Sequence, residues 1–314
     1  MMDVTILGSG AFGLSLGKCF FIKHHHVKIW SKFETEVNSL KDKYAQFQFT
    51  SNLKEAIYDA DIIVIAIPIE FIKDTLQLLK KYYHKGIILI ASKGIEVSSS
   101  NFAYQMVENI LPNVPYGVLS GGTFARDMMN GYVMGITLAT HYSEVVSMVK
   151  NGLDSKSLRV EVSKDIIGVS ICGSVKNVMA IGFGILDGAD YPESSRFLFL
   201  TEAILEIKRF IKKLGGDEAT ILSYAGIDDI MMTCTSSESR NYTLGKMMGQ
   251  KLSRGVIQEY RSTTTVEGLG TSKAIFSLLK EREIDSPLIQ IIYQITYEDL
   301  DIHELIHYLE IVQK

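Results

Sequence analysis

Lys176 is the residue whose surroundings most suggest chemistry, because it is the only charged residue between Ile166 and Leu186. Removing an ammonium group from water costs several kcal/mol unless a counterion pairs with it or its pKa falls. Such burial is typical of a lysine that acts on a substrate. The alternative is a lysine whose aliphatic stem crosses a core helix while its amine reaches solvent.

A second group of polar residues lies at Asp228 to Thr235 and at Ser239-Arg240-Asn241. If the first segment is helical, Asp229 and Thr233 are four residues apart and share a face. Arg240 carries a planar guanidinium, whose fork of donors suits a phosphate. Arg240 is therefore a candidate for binding a phosphate. The alternative is a helix end followed by an ordinary polar loop.

Ser92-Lys93-Gly94 follows directly after a predicted strand, Gly86 to Ala91. Open α/β sheets bind their ligands at the carboxyl ends of parallel strands. A lysine at this place can meet an anionic substrate. Taken alone, it is equally consistent with a solvated loop lysine.

The segment Gly8-Ser9-Gly10-Ala11-Phe12-Gly13 follows the first predicted strand and opens a helical pattern. This is the context of a dinucleotide-binding fingerprint. Gly8 permits the tight turn, Gly10 lets a pyrophosphate approach the backbone, and Gly13 lets helix and strand pack closely. The N–H groups and the positive dipole end of the helix then face the phosphates. A glycine-rich turn without a ligand is the alternative.

The second predicted strand ends Trp30-Ser31-Lys32, without the acidic residue that usually accepts the ribose hydroxyls of NAD. A hydroxyl and a cation suit a 2′-phosphate, so Ser31 and Lys32 favour NADP(H) modestly. Glu34 is close enough in sequence to leave NAD open as the cofactor.

Two kinds of pattern divide the chain. Short apolar runs alternate with amphipathic stretches in the first half, which predicts strands joined by crossover helices in a mostly parallel, Rossmann-like sheet. From about Asp165 onward apolar residues recur at three- and four-residue spacing, which predicts helices only. We therefore expect an α/β dinucleotide-binding domain at residues 1–165 and an all-helical substrate and catalytic domain at 166–314. The predicted strands are Val4 to Leu7, Val27 to Trp30, Asp61 to Ile67, Gly86 to Ala91, Tyr116 to Leu119 and Val133 to Ala139.

Composition excludes several classes of function. A net charge of −4 over 314 residues gives no electrostatic footprint for nucleic acid or for an anionic membrane. The apolar stretch Ile166 to Leu186 nearly has the length of a membrane span, but Lys176 at its centre favours a buried core helix instead.

The cysteines and the first residues of the chain bear on its location. Cys19, Cys172 and Cys234 lie far apart and form no close pair, so neither a disulfide framework nor a zinc site is predicted. We expect no secretion signal, because the sequence begins without a basic and apolar leader pattern. Both observations favour the cytoplasm.

Two histidine patterns are interpreted as structural. His303-Glu304-Leu305-Ile306-His307 has the letters of a zinc-protease motif, but too little chain follows for a third ligand, and an amphipathic terminal helix is expected. His24-His25-His26 is interpreted as a surface turn. No metal site is expected.

Taken together, the order and spacing of these blocks resemble those of the NAD(P)-dependent sn-glycerol-3-phosphate dehydrogenases over nearly the whole chain. The resemblance implies hydride transfer between NAD(P)H and dihydroxyacetone phosphate, which gives sn-glycerol 3-phosphate for glycerophospholipid synthesis. It also implies a homodimer. The matching blocks are Gly8 to Gly13, Ser92-Lys93-Gly94, Gly121 to Ala125, Gly173 to Asn177, Asp229 to Cys234, Ser239-Arg240-Asn241 and Val266-Glu267-Gly268.

Roles follow from the same resemblance, residue by residue. Lys176 is implied to be the catalytic lysine, with Asp229 as its partner. Substrate contacts are implied for Lys93, Gly121, Thr123, Lys176, Asn177, Asp229, Thr233, Ser239, Arg240 and Asn241. Cofactor contacts are expected at Gly8, Gly10, Ala11, Phe12, Gly13, Ser31, Lys32, Lys93, Ala125, Arg240 and Glu267.

The sequence departs from the family pattern at Gly122 and Thr123, where Pro and Ser are usual, and at Ser194, where Asn is usual. These changes keep two alternatives open. One is a related two-domain dehydrogenase of the 3-hydroxyacid or ketopantoate type, which acts on a different small ketone. The other is a dinucleotide-binding sensor that has lost catalysis, against which the joint presence of Lys93, Lys176 and Asp229 speaks.

Overall fold

The structure is a computed structural model and describes residues 1–311. The chain divides into two compact units. Unit 1 comprises Met1–Lys93 and Phe102–Ile166, and unit 2 comprises Gly94–Asn101 and the chain from Ile167 onward. The short segment Gly94–Asn101 therefore belongs with the C-terminal helices although the strands of unit 1 flank it in sequence.

Unit 1 is an α/β unit around an eight-stranded sheet, as far as residues 1–311 describe it. The strand order is β3-β2-β1-β4-β5-β6-β7-β8. Strand β7 runs antiparallel to β6, and all other neighbouring strands are parallel. The strands are β1 Asp3–Leu7, β2 His26–Trp30, β3 Gln48–Thr50, β4 Ile62–Ile65, β5 Ile87–Ile90, β6 Tyr116–Ser120, β7 Met134–Ala139 and β8 Leu158–Ser163.

Helices connect these strands and cover the sheet. Strands β4 and β5 are buried at every position, as expected of apolar runs that are covered on both faces. The chain from β1 through α1 to β2 forms the first crossover unit. The helices of unit 1 are α1 Ala11–Ile22, α2 Glu34–Lys41, α3 Leu53–Ile57, α4 Ile72–Tyr82, α5 Ala103–Ile110, α6 Ala125–Asn130 and α7 Ser143–Leu153.

The predicted mostly parallel α/β sheet is confirmed, and each of the six predicted strands corresponds to a strand of the structure. Two strands were not predicted. β3 has only three residues, and β8 alternates between buried and exposed positions near its start. Both lie at the edges of the sheet, where one side lacks a neighbouring strand and a long apolar run is not required.

All the secondary-structure elements of unit 2 from Ile167 onward are helical within the described residues, as predicted for the chain after Asp165. A short 3₁₀ helix, Glu218–Leu222, and a π turn, Tyr224–Asp228, interrupt the longer helices. The helices are α8 Ile166–Gly188, α9 Glu193–Lys213, α10 Asp229–Thr235, α11 Arg240–Gly249, α12 Arg254–Thr263, α13 Glu267–Arg282, α14 Pro287–Tyr297 and α15 Glu304–Ile311.

Helix α8 is the core helix of unit 2. Its length and apolar composition would suffice to cross a membrane, but 94% of its most apolar window is buried inside the protein. The burial extends to Lys176, which is only 5% exposed. The prediction of a buried core helix for this segment agrees with this arrangement.

The prediction of a surface turn at His24-His25-His26 is wrong for His25, which is only 6% exposed. Its Nδ1 accepts a hydrogen bond from the backbone N–H of Met2 at 3.1 Å, and its ring packs edge-on against Phe20. Burial lowers the pKa of His25 below its ordinary value. A backbone donor and an aromatic neighbour brought near by folding explain the difference, since neither follows from the local sequence.

Helices α8 and α11 cross at glycines spaced four residues apart on each helix. An added Cβ at Gly245 would lie 2.0 Å from the carbonyl oxygen of Ile181, and one at Gly188 would lie 2.1 Å from that of Lys246. Gly184 and Gly249 are equally close to the opposite backbone. The two backbones are thus in direct contact, which fixes α11 against the C-terminal part of α8.

We predict that Gly245→Ala destabilises the protein by about 2 kcal/mol or more, because the methyl group must displace backbone rather than a side chain. Gly255→Ala is the matched control, since a Cβ there meets open space within a helix and should be neutral or stabilising. Urea unfolding measures both. Equal free energies of unfolding for the two variants would contradict the close crossing.

Candidate active site

The amine of Lys176 and the carboxylate of Asp229 form a buried ion pair in unit 2. Lys176 lies on α8, while Asp229 and Thr233 lie on α10. The amine donates a hydrogen bond to Oδ1 of Asp229 and another to Oγ1 of Thr233 at 2.9 Å. Lys176 is 5% exposed, Asp229 is 0% exposed and Thr233 is 5% exposed. The expected helical face of Asp229 and Thr233 is confirmed, with their side chains 3.4 Å apart.

The ion pair with Asp229 offsets the free-energy cost of burying the Lys176 amine. An ammonium group has three donors, and Asp229 supplies the negative charge that makes its burial tolerable. Removing one partner of such a pair typically costs 3–5 kcal/mol, because the other charge stays buried without compensation. The amine of Lys176 is therefore paired with a carboxylate within unit 2, and it does not snorkel to solvent.

A π turn precedes Asp229 and sets the position of α10. The backbone at Gly226 leaves helical geometry, with φ −88° and ψ −111°. A Cβ at Gly226 would lie 2.2 Å from the carbonyl oxygen of Ile221, so the turn is tightly packed. Single π turns within helices occur frequently at functional sites. No periodic pattern in the sequence predicts this turn, and only the Ala-Gly pair before the two aspartates indicates it.

Asn177, next to the lysine, joins a chain of amides that links three helices. Its Nδ2 donates to Oε2 of Glu267 at 3.1 Å, and its Oδ1 accepts from Nδ2 of Asn241 at 2.9 Å. The Oδ1 of Asn241 accepts from the backbone N–H of Gly268 at 2.9 Å. Three residues expected at the site, on α8, α11 and α13, thus come together beside Lys176.

Arg240 begins α11 directly after its capping residue. Ser239 is buried, and its Oγ accepts a hydrogen bond from the N–H of Tyr242 at 3.2 Å. Arg240 is exposed, and its carbonyl oxygen accepts from the hydroxyl of Tyr260 at 3.2 Å. The guanidinium thus projects from the first turn of a helix whose dipole also favours an anion.

Cys234 follows Thr233 on α10 but is not suited to act as a nucleophile. It is fully buried, and this burial raises the pKa of its thiol to about 12, against the opposing effect of nearby Lys176. The thiol is therefore protonated at neutral pH, and nucleophilic attack by cysteine requires the thiolate.

The fingerprint segment of unit 1 forms the turn from β1 into α1. Gly8 has φ +124°, and a Cβ there would lie 2.3 Å from the carbonyl oxygen of Ala66. A Cβ at Gly13 would lie 2.3 Å from the carbonyl oxygen of Gly8. Both positions require glycine, as the fingerprint predicts.

The N-terminus of α1 fits the pyrophosphate of a dinucleotide. Gly10 is its N-cap, is exposed, and has open space where a Cβ would stand. Within residues 1–311, no side chain caps the first N–H groups of this helix. The helix N-terminus is thus open to a phosphate. Phe12 follows in the first turn, with the amine of Lys93 5.8 Å from its ring centre.

The remaining residues expected at the site in unit 1 follow the end of β6. A Cβ at Gly121 would lie 2.6 Å from the carbonyl oxygen of Gly135, so the chain is tightly packed at this point. Thr123 is buried, with its Oγ1 donating to the carbonyl oxygen of Gly121 at 3.3 Å. Ala125 is the first residue of α6. These residues, like Lys93 and the fingerprint, all follow the carboxyl ends of parallel strands.

At the end of β2 the structure shows a carboxylate that the sequence analysis did not single out. The hydroxyl of Ser31 donates to Oε2 of Glu36 at 2.6 Å, and the hydroxyl of Ser9 donates to the same oxygen at 2.6 Å. Lys32 and Glu34 are exposed, and neither forms this contact. The carboxylate near the end of β2 is thus Glu36, which sequence reasoning missed because it stands six residues beyond the strand.

The structure also explains the pattern His303-Glu304-Leu305-Ile306-His307. Helix α15 begins at Glu304, and Leu305 and Leu309 are its buried residues. The ring of His303 is hydrogen-bonded to the hydroxyl of Tyr191 at 2.6 Å, and that of His307 lies 3.8 Å from Glu310. The expected amphipathic terminal helix is confirmed.

Two family profiles together match most of the chain. The one described as NAD-dependent glycerol-3-phosphate dehydrogenase N-terminus matches residues 3–146, and the one described as NAD-dependent glycerol-3-phosphate dehydrogenase C-terminus matches residues 165–307. The first contains the fingerprint, and the second contains the Lys176, Asp229 and Asn177 contacts.

Individual relatives agree with these profiles. A protein of Staphylococcus aureus named glycerol-3-phosphate dehydrogenase, NAD(P)+, is 30% identical over 98% of this chain and 97% of its own length. One of the same name from Nitrosomonas europaea is 32% identical over 96% of this chain and 95% of its own. The crystal structure of glycerol-3-phosphate dehydrogenase from Coxiella burnetii has a TM-score of 0.93 and 26% identity, and covers 100% of this chain and 99% of its own.

These matches confirm the resemblance to glycerol-3-phosphate dehydrogenases that the sequence blocks indicate. Both halves of the chain match this family, which differs from the 3-hydroxyacid and ketopantoate dehydrogenases that the sequence analysis left open as an alternative. The departures at Gly122, Thr123 and Ser194 lie within a chain that matches along nearly its full length. The chain belongs to the NAD-dependent glycerol-3-phosphate dehydrogenase family.

Proposed function

We propose that the protein transfers a hydride between NAD(P)H and C2 of dihydroxyacetone phosphate, giving sn-glycerol 3-phosphate. The observation that carries this proposal is the buried amine of Lys176, which donates to both Asp229 and Thr233 in a chain whose two halves match the family. A buried ion pair often stabilises a protein less than apolar residues would, so a chemical role for the amine is a reason for its presence in an apolar core.

The residues of unit 2 supply proton transfer and orientation in this proposal. Bound NAD(P)H supplies the hydride. Lys176 holds a proton for the carbonyl oxygen of the substrate, where negative charge develops as the ketone becomes an alcohol. Asp229 keeps the amine charged and aimed, and Thr233 fixes it from a second direction. Asn177 and Asn241 supply amides next to the lysine that can bind substrate hydroxyl groups.

Other residues are assigned to binding. We take residues 1–165 as the dinucleotide-binding domain, with Gly8, Gly10 and Gly13 at the phosphates, and residues 166–314 as the substrate and catalytic domain. Further cofactor contacts are assigned to Ala11, Phe12, Lys93, Ala125, Arg240 and Glu267. Further substrate contacts are assigned to Lys93, Gly121, Thr123, Ser239, Arg240 and Asn241.

The product is a phosphorylated glycerol, so we further propose that the protein supplies glycerophospholipid synthesis as a cytoplasmic homodimer. No two cysteines within residues 1–311 form a disulfide, which suits a reducing compartment.

Loss of the lysine amine should remove most of the catalytic rate. In Lys176→Ala, kcat should fall by about 10² to 10⁴, the usual contribution of a positioned acid. Circular dichroism and calorimetric NADH binding establish that the variant is folded, and Lys213→Ala, at the exposed end of α9, is the control. If Lys176→Ala is too unstable to study, Asp229→Asn should lower kcat in the same direction. Near-normal turnover in a folded variant would remove the assignment.

Phosphate recognition should depend on the shape of the Arg240 side chain as well as its charge. Arg240→Lys should raise KM for dihydroxyacetone phosphate about tenfold, since one charge-assisted hydrogen bond contributes roughly 1.5–3 kcal/mol. Arg254→Lys is the matched control, because Arg254 is an exposed arginine in unit 2 that pairs with Asp299 at 3.1 Å.

Unphosphorylated dihydroxyacetone completes this test. It should be a poor substrate for the parent enzyme, and Arg240→Lys should change its turnover little, since the phosphate is missing. Equal use of both ketones by the parent enzyme would argue against a phosphate site.

A further inference from the structure

Two serine hydroxyls hold the carboxylate of Glu36 in one place in unit 1. Ser9 and Ser31 both donate to its Oε2 at 2.6 Å. Ser9 lies within the fingerprint turn after β1, and Ser31 is the first residue after β2. Glu36 itself lies in the first turn of α2. One carboxylate oxygen thus joins the ends of two adjacent parallel strands and the helix that follows them.

This is the region where dinucleotide-binding sheets meet the adenosine ribose. Their pyrophosphate lies at the turn after the first strand, and an acidic residue near the end of the second accepts the ribose hydroxyls. Glu36 reaches that place from the helix, by way of its bonds to both strand ends. The second oxygen, Oε1, accepts no hydrogen bond from a described residue, and it can therefore accept one from a ribose hydroxyl.

The charge of Glu36 is stable at neutral pH. Its hydrogen bond from Ser31, and next that from Ser9, lower the pKa of the carboxyl below its ordinary value, against a smaller opposing effect of burial. An ionised carboxylate only accepts hydrogen bonds. It suits the two hydroxyls of an NAD ribose and repels the phosphate that replaces one of them in NADP.

Lys32 acts in the opposite direction. Lys32 and Glu36 are both exposed, so water and salt screen both charges, but two hydrogen bonds fix the Glu36 carboxylate whereas no described residue fixes the Lys32 amine. The hydroxyl of Ser31, the other group that favours a 2′-phosphate in the sequence, is already committed to Glu36. Donation from Ser31 to a bound phosphate would require it to break that bond first.

We infer that Glu36, held by Ser9 and Ser31, is the residue that selects NAD(H) over NADP(H) in this protein. The inference rests on the proposed dehydrogenase function and reverses the modest NADP(H) preference that Ser31 and Lys32 predict from the sequence. It concerns the cofactor's affinity, so it is tested by binding alone.

Calorimetric titration of the full chain with NADH and with NADPH measures this preference directly. The parent protein should bind NADH more tightly. Glu36→Gln should raise NADPH affinity relative to NADH affinity by at least about tenfold, because the repulsion is removed while the hydrogen-bonding shape is kept. Glu34→Gln is the matched control: it makes the same change of charge on the same exposed helix turn, and should shift the ratio by less than about twofold.

Salt gives a second test that needs no variant. If repulsion from Glu36 dominates, NADPH should bind the parent protein more tightly, relative to NADH, as ionic strength rises. If attraction to Lys32 dominates, the affinity for NADPH relative to NADH should fall as ionic strength rises, and that result overturns the inference.

Three further outcomes would also overturn it: a parent preference for NADPH, an unchanged ratio in Glu36→Gln, or an equal shift in Glu34→Gln. If the parent protein binds the nucleotides but prefers NADPH, the inference fails and the proposed dehydrogenase function is unaffected. Failure of both nucleotides to bind the parent protein would count against that function itself, and against the inference with it.

Discussion

The ammonium group of Lys176 lies in the apolar interior of α8, where a charge is tolerated only beside its counterion. Asp229 supplies this counterion from α10, directly after the π turn Tyr224–Asp228. Asp229 is fully buried, so neither charge can relax into solvent if the other is lost. The pair is therefore weak evidence for stability, and it is the proposed function that gives it a chemical role.

The helices around this pair are held by contacts that leave little freedom. Glycines on α8 and α11 bring the two backbones together, and the Asn177–Asn241 bond joins the same helices near the lysine. Gly268 extends the contact to α13, since a Cβ there would lie 2.6 Å from the carbonyl oxygen of Asn177. An acid catalyst works only when it is positioned to within a fraction of an ångström, and close-packed backbones provide that rigidity.

Much of this arrangement could be predicted from the sequence, and the exceptions have identifiable causes. Isolated charge in an apolar helix identified Lys176, and four-residue spacing identified the shared face of Asp229 and Thr233. The edge strands β3 and β8 were missed because edge positions demand no long apolar run. Glu36 was missed because its role arises from two hydroxyls that only the folded sheet brings to it. Local sequence patterns predict helices and strands, whereas contacts between residues distant in sequence become visible only in the folded structure.

Chemical rescue tests most directly whether the Lys176 amine is itself the proton donor. In Lys176→Ala, a small primary amine such as methylamine can occupy the space left beside Asp229 and take over proton donation. The account predicts that added amine restores turnover of dihydroxyacetone phosphate in proportion to its concentration, with a rate that depends on the pKa of the amine. A folded variant that binds NADH and dihydroxyacetone phosphate but does not respond to any small amine would contradict it.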